Sequence, residues 1–278
     1  MIEDTVRTYA YRDAIKEMVS PGDIVVDIGT GTGILSFFAC QANAKRVYAI
    51  EESSMINLAR SLSRRNRFDD RIVLINKLST EVELSEKADL LITETLGTFA
   101  LDENILRYVI DGRNRFLKPG GKLIPSGIKL FLSAVESSEA YKYVSFWDEN
   151  PYKLDFEPAR IEAAKTPYEF MFNPSELLSE PIMLQDYDLY TTNETGFEKI
   201  LSFTINRNGI MHGWAGWFEA RLSPNILIST APDKPKTHWK QMYFPSIVPV
   251  RVIQGETVKL KIKAASKENA TYWGWHHI

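Results

Sequence analysis

Over the first 125 residues, short apolar runs alternate with amphipathic stretches. Ile24-Val25-Val26-Asp27-Ile28 reads as a buried strand, followed by Gly29-Thr30-Gly31-Thr32-Gly33 and a helix opening at Ile34. Arg46 to Glu51 predicts a second strand and Ser54 to about Asn66 a helix, with Arg71 to Ile75 and Leu90 to Thr93 as two further strands. A helix from about Glu103 to Phe116 leads through the turn Lys118-Pro119-Gly120-Gly121 into Lys122-Leu123-Ile124. Apolar runs of this length separated by helices indicate βαβ units and a parallel sheet covered on both faces. After Pro125 the helical period fades. Strand-like runs begin at Leu130, Ile200, Trp214, Ile226 and Thr257 with turn residues between them, which predicts an antiparallel barrel or sandwich. The division is therefore an α/β domain over 1–125 and a β domain over 126–278, with a Pro- and Tyr-rich insert at about 146–181 that fits neither pattern.

Composition narrows the class without naming a chemistry. The 278 residues carry 33 Lys plus Arg against 36 Asp plus Glu, and are 44% hydrophobic and 25% charged. Those proportions exclude disorder, collagen and coiled coil. No apolar run approaches the ~20 residues that span a bilayer, and the first residues lack the basic and apolar regions of a secretory leader. Neither membrane insertion nor export is expected. A lone Cys40 excludes an intramolecular disulfide and cannot build a metal cage, so no metal and a cytoplasmic, reducing setting are expected. The formal charge of −3 disfavours direct nucleic-acid binding, which needs a basic surplus.

The glycine loop carries the first chemical signal. Strand, Gly29-x-Gly31-x-Gly33 and helix start together form a nucleotide-binding corner, although such a turn also occurs without a ligand. Charge separates the ligands. The third glycine comes one residue early for the dinucleotide fingerprint, Asp27 would repel a pyrophosphate, and no Lys or Arg occurs from Gly29 to Asn43. S-adenosylmethionine carries no phosphate, and its ammonium and sulfonium are attracted to carboxylates. Glu51, ending the second strand, stands where an acidic side chain binds both ribose hydroxyls. Asp27 and Glu51 together favour the methyl donor over NAD.

With Val25-Val26-Asp27-Ile28-Gly29-Thr30-Gly31-Thr32-Gly33 the chain resembles a class I methyltransferase, and further segments resemble the protein arginine methyltransferase family. These are Val6-Arg7-Thr8 with Tyr11-Arg12, Ile50-Glu51, the double-Glu segment from Glu94 to Glu103, and Thr237-His238-Trp239. The resemblance implies a Rossmann-like sheet followed by a β-barrel, with the insert at about 146–181 as a dimerisation arm and a head-to-tail homodimer. It also implies a protein or peptide arginine as substrate. Arg7 would bind the carboxylate of the cofactor's methionine end, and Thr80 would meet the adenine where the family offers a Glu. His238 would pair with Asp4, linking the domains and relaying a proton, and Trp239 would wall the substrate pocket.

Glu94 and Glu103 also make sense as bare chemistry. Two carboxylates at the carboxyl edge of a parallel sheet grip a planar guanidinium by charge-assisted, bidentate bonds. They would equally suit a strand end and a helix start. Against the family pattern, the Tyr-Phe-x-x-Tyr helix has no counterpart, so either the chain is short there or the active site is more open. Thr95 and Leu96 replace Trp-Met, and Ile105 replaces a Met, reshaping the pocket while keeping both carboxylates. A small guanidino or amine acceptor, or a non-catalytic dimeric regulator with a vestigial cofactor site, are the competing readings.

Overall fold

A computed structural model describes residues 1–267 and 270–278. The chain opens on α1 (Thr5–Met18), capped by Asp4, whose Oδ1 accepts the Arg7 amide at 3.0 Å. A parallel sheet follows, built from β1 (Ile24–Ile28), β2 (Arg46–Ile50), β3 (Ile72–Ile75), β4 (Ala88–Thr93) and β5 (Leu117–Ile124). Three helices connect them: α2 (Ile34–Gln41), α3 (Ile56–Arg65) and α4 (Ile105–Phe116). Every residue of β1 is buried, as a strand covered on both faces requires. The strand order is β3-β2-β1-β4-β5, which places the topological switch point between β1 and β4. The turn expected at Lys118-Pro119-Gly120-Gly121 is a bulge within β5, where the pairing jumps from Ala88–Leu117 to Leu90–Lys122.

Beyond Pro125 lie β6 (Gly127–Val135), α5 (Ser138–Ser145), α6 (Glu157–Ala163), β7 (Tyr168–Phe170), β8 (Ile182–Asp188) and β9 (Gly196–Thr204). They are followed by β10 (Gly209–Arg221), β11 (Leu227–Ser229), β12 (Gln241–Val252), β13 (Thr257–Lys267) and β14 (Ala270–His277). These strands form two antiparallel sheets rather than one closed ring of hydrogen bonds. One follows the order β7-β12-β10-β6-β8 with β11 on β10, and the other is β14-β13-β9. Period-two reading missed β12 because Pro245 and Pro249 interrupt it. Pro245 stands opposite Gly213 where the β10–β12 register shifts, one of the few places a strand tolerates Pro.

The insert is not uniform. Tyr141, Val144, Ala163 and Ala164 form a small core of their own with Trp147 against it, so the separate subdomain starts before Phe146. Its last part returns to the main sheet, where Tyr168, Glu169 and Phe170 pair with β12. Both domains share one continuous apolar core, and Leu96, Phe99 and Leu101 from the loop after β4 sit fully or almost fully buried in it. No helix among the described residues is long and apolar enough to cross a membrane.

Candidate active site

Strand ends at the switch point supply the site. β1 runs into Gly29, β2 into Glu51 and β4 into Glu94, so three loops meet over the carboxyl edge of the sheet. All three line a cleft of about 390 Å3, together with Glu103, Leu78 and Ser79. Five carboxylates and one lysine lie on its wall: Glu51, Glu52, Glu94, Asp102 and Glu103 against Lys77. A wall of that composition attracts cationic groups and repels phosphates.

The glycine loop is shaped from beneath. Gly29, Gly31 and Gly33 have φ of 72°, 52° and 87°. A Cβ on Gly29 would stand 3.0 Å from the Thr95 methyl, and one on Gly33 would stand 3.0 Å from the Phe37 ring. Left-handed backbone and close approach together leave no room for a side chain at either position. Glu51 holds the loop from above. Its Oε2 accepts the Gly31 amide at 3.0 Å and its Oε1 accepts the Ser53 amide at 2.9 Å. Each oxygen retains a second lone pair for a ligand hydroxyl.

Asp27 behaves differently from the expectation that it attracts the cofactor directly. It is fully buried under the loop, and its Oδ2 accepts the hydroxyls of Thr30 and Ser36, both at 2.6 Å. Burial pushes its carboxyl above the usual range, while the two hydroxyls pull the other way. Its role is to fix the loop from within. The reason is positional: Asp27 lies inside β1 with both sheet faces covered, so its side chain reaches the Thr30 hydroxyl of the loop and the Ser36 hydroxyl of α2 before it reaches the cleft.

Around Glu94 the geometry also departs from expectation. Arg7 is buried, and its Nη1 donates to Glu94 Oε1 at 3.3 Å while its guanidinium stacks 4.7 Å above the Trp239 ring. A buried guanidinium cannot stay unpaired, and two carboxylates reach it: Glu94, and Asp4, whose Oδ2 lies 3.7 Å from Arg7 Nε. Burial raises the Glu94 carboxyl to about 7, with Arg7 opposing and Glu103 adding to the rise. Glu103 is raised as well, by burial first and then by the neighbouring Asp102 charge, and Arg7 lowers it. Two carboxyls near one another can hold a cation, and Glu94, raised to about 7, can accept a proton close to neutral pH.

Asp4 and His238 do meet, though not by their side chains. Asp4 Oδ2 accepts the backbone amide of His238 at 2.7 Å, and the imidazole is on the exposed surface. The carboxylate thus caps α1 and ties the Thr237–Trp239 segment to it. The Asp4 carboxylate accepts two amides and lies 3.7 Å from Arg7 Nε, and among the described residues no hydrogen bond or ion pair joins it to the His238 imidazole. Trp239 is 5% exposed and packs edge-on against Phe218 at 5.1 Å, backing Arg7 instead of facing the cleft. Thr80 likewise falls one position beyond the wall, which is made by Leu78 and Ser79. Ser79 is buried with its hydroxyl unpartnered among protein atoms, a polar atom suited to a ligand amine at that end of the cleft.

Sequence reasoning passed over Asp102. Its Oδ2 accepts the Phe99 amide at 2.6 Å and its Oδ1 accepts the Trp273 indole N–H at 3.2 Å. Adjacency to Glu103 was the one available signal; the partner Trp273 lies far along the chain.

A switch-point cleft with a glycine loop that carries no Lys or Arg and an acidic wall defines an α/β domain of the methyltransferase type. A model of the arginine methyltransferase oligomerisation subdomain matches residues 128–272, and one of the ribosomal protein L11 methyltransferase matches residues 9–150. Protein arginine N-methyltransferase 1 of Schizosaccharomyces pombe is 35% identical over 93% of this chain and 78% of its own length. A probable protein arginine N-methyltransferase 6.1 of Oryza sativa subsp. japonica is 32% identical over 96% of this chain and 78% of its own length. Among solved structures, Arabidopsis thaliana protein arginine methyltransferase 10 superposes with a TM-score of 0.82 and 26% identity, covering 100% of this chain and 96% of that one. A chain of the Trypanosoma brucei PRMT1 enzyme–prozyme heterotetrameric complex with AdoHcy shares the fold at a TM-score of 0.89 and 24% identity, with 100% and 96% coverage. The chain belongs to the protein arginine methyltransferase family.

Proposed function

We propose that this chain is an S-adenosylmethionine-dependent methyltransferase that methylates the guanidinium of arginine in proteins or peptides. The observation that carries this reading is the cleft at the switch point, where the glycine loop and Glu51 meet Glu94 and Glu103 on one acidic wall. Gly29, Gly31 and Gly33 let a cofactor approach the backbone, Glu51 receives its ribose hydroxyls, and the Ser79 hydroxyl serves the adenine end. Bound there, S-adenosylmethionine supplies an electrophilic methyl group on a cationic sulfonium.

The chain's own residues do the rest by position and charge. Arginine resists deprotonation, since its pKa exceeds about 12, so no base can strip it before transfer. Glu94 and Glu103 instead grip the guanidinium by charge-assisted bonds and turn one terminal nitrogen toward the methyl group. Arg7 supports this by holding Glu94 Oε1 from behind, with Trp239 beneath its guanidinium. As the nitrogen gains its methyl group it sheds a proton. Glu94, with its carboxyl near pH 7, is matched to receive it.

Incubation with radiolabelled S-adenosylmethionine tests the reading directly. Label is expected on arginine-rich peptides; label only in the small-molecule fraction of a lysate would replace the acceptor class, and no transfer with no calorimetric cofactor binding would overturn the enzyme reading.

The same family reading includes a homodimer, with a second copy seated on the subdomain between α5 and α6. Support comes from a groove of about 840 Å3 there, walled by Tyr143, Phe146, Trp147, Ala159 and Phe170. Phe146 is 47% and Tyr152 90% exposed, an aromatic surface of the kind interfaces use. Phe146→Asp combined with Tyr152→Asp is expected to convert a dimer to a monomer in light scattering, and an unchanged mass would remove the arm from the interface. A reducing compartment for the protein follows from the same reading and from the single, buried Cys40.

A further inference from the structure

The loop from Glu94 to Glu103 belongs to the first domain, yet much of what holds its second half comes from the last two strands of the chain. Thr271 Oγ1, on β14, donates to the Leu101 carbonyl at 2.6 Å. Trp273 Nε1, two residues on, donates to Asp102 Oδ1 at 3.2 Å. Ser266 Oγ, on the paired strand β13, donates to Asn104 Oδ1 at 2.7 Å. Leu101, Asp102 and Asn104 are the two residues before Glu103 and the one after it. Each is tied to a different side chain of one hairpin.

The backbone of this stretch needs such ties. Ala100 and Asn104 both lie in the left-handed region, at φ of 59° and 58°, where non-glycine residues are strained. Such conformations persist when the surroundings over-determine them. Here the hairpin does so, together with Asp102 Oδ2, which accepts the Phe99 amide. The hairpin is anchored in turn. Trp273 packs against Phe99 at 5.1 Å and Phe244 at 5.5 Å, and β13 pairs along its length with β9.

We propose that the β13–β14 hairpin positions Glu103, with Thr271, Trp273 and Ser266 as positioning residues that fix the loop so that its carboxylate faces the cleft beside Glu94. The second domain thereby does more than carry an interface: its C-terminal strands set the geometry of the guanidinium grip. This rests on the reading of Glu103 as half of that grip. A hydroxyl or indole lost from the hairpin frees the loop without touching cofactor or substrate. The cost therefore falls on kcat, since small misplacements of a catalytic group are expensive in rate.

The experiment compares Thr271→Val with Thr271→Ser in the full chain, and adds Trp273→Phe and Ser266→Ala. Thr271→Val keeps the shape and loses the hydroxyl, whereas Thr271→Ser keeps the donor. The expected result for Val is a fall in kcat of about tenfold or more, with cofactor affinity by calorimetry unchanged. Ser is expected to restore the rate. Hydrogen exchange at residues 97–104 should rise in the Val variant and stay at the wild-type level in the Ser variant. Equal rates for Val and wild type, or equal damage by Val and Ser, would overturn the proposal. Should the unaltered protein transfer no methyl group, the reading of Glu103 fails on its own account. The exchange comparison still decides the clamp, since unchanged exchange in Thr271→Val refutes it and a selective rise upholds it. Trp273→Phe and Ser266→Ala are expected to raise exchange over the same residues, and a rise elsewhere alone would count against the clamp.

Discussion

Glu94→Gln and Glu103→Gln are each expected to lower kcat for methyl transfer by about a hundredfold or more, the range seen when one preorganised electrostatic contact to a reacting group is removed. Glutamine keeps the length and planarity of glutamate but replaces one charged acceptor oxygen by a donor. A guanidinium is all donors, so it would face a like group at that position and lose the charge that orients its nitrogen. Cofactor affinity is expected to survive both changes, because the glycine loop and Glu51 are untouched. The two variants differ in stability. Glu94 shares the buried Arg7 with Asp4, whose Oδ2 lies 3.7 Å from Arg7 Nε, so Glu94→Gln disturbs a buried ion-pair network without leaving the guanidinium unpaired. Glu103 sits on the exposed side of the cleft and, among the described residues, forms no ion pair with Arg7, so its replacement should leave the melting temperature close to wild type. Glu103→Gln is accordingly the cleaner test. Retention of the full rate by a folded Glu103→Gln protein would refute the carboxylate grip.

The second large effect is on pH. Glu94 must be ionised to bind the guanidinium, and its carboxyl titrates at about 7 instead of 4.5 because burial disfavours its charge. The kcat/KM is therefore expected to fall about tenfold for each pH unit below 7, as for any essential base titrating there. Stability runs the opposite way. A carboxyl raised in the folded state binds its proton more tightly than in the unfolded chain, so between pH 4.5 and about 7 the folded state holds the extra proton. Unfolding free energy contributed by Glu94 is then highest below pH 4.5 and declines as pH rises through that window. Asp27, Asp102 and Glu103 are raised as well and act in the same direction. The check is a pH–rate profile with unfolding measured alongside for wild type and Glu94→Gln. An acid limb near pH 4.5, or an identical pH dependence of stability in both proteins, would contradict the assignment.

Much of the first domain was legible because its signals are local. A short, β-branched run such as Ile24 to Ile28, closed by glycines, reads as a buried strand, and Gly29, Gly31 and Gly33 announce a backbone that needs positive φ. Glu94 and Glu103 stood out as carboxylates flanking a loop at a strand's carboxyl end. The second domain was read less completely. β12 carries two prolines, and only its pairing across a register shift with β10 makes the strand admissible. β14 is a short run of aromatic and histidine residues whose identity as a strand depends on β13 lying beside it.

Side-chain roles divided along the same line. Residue type and spacing marked on their own a glycine-rich turn after β1, an acidic residue ending β2 and a pair of carboxylates after β4, because these follow from chain-local periodicity and charge. Only the tertiary structure decided that Asp27 faces into the loop, that Arg7 is bound by Glu94, and that Asp4 meets the backbone of His238 instead of its ring. It alone brought Trp273 to Asp102, across 171 residues of sequence. The physical reason is that a hydrogen bond depends on distance and direction in space, and neither is encoded at any single position of the chain.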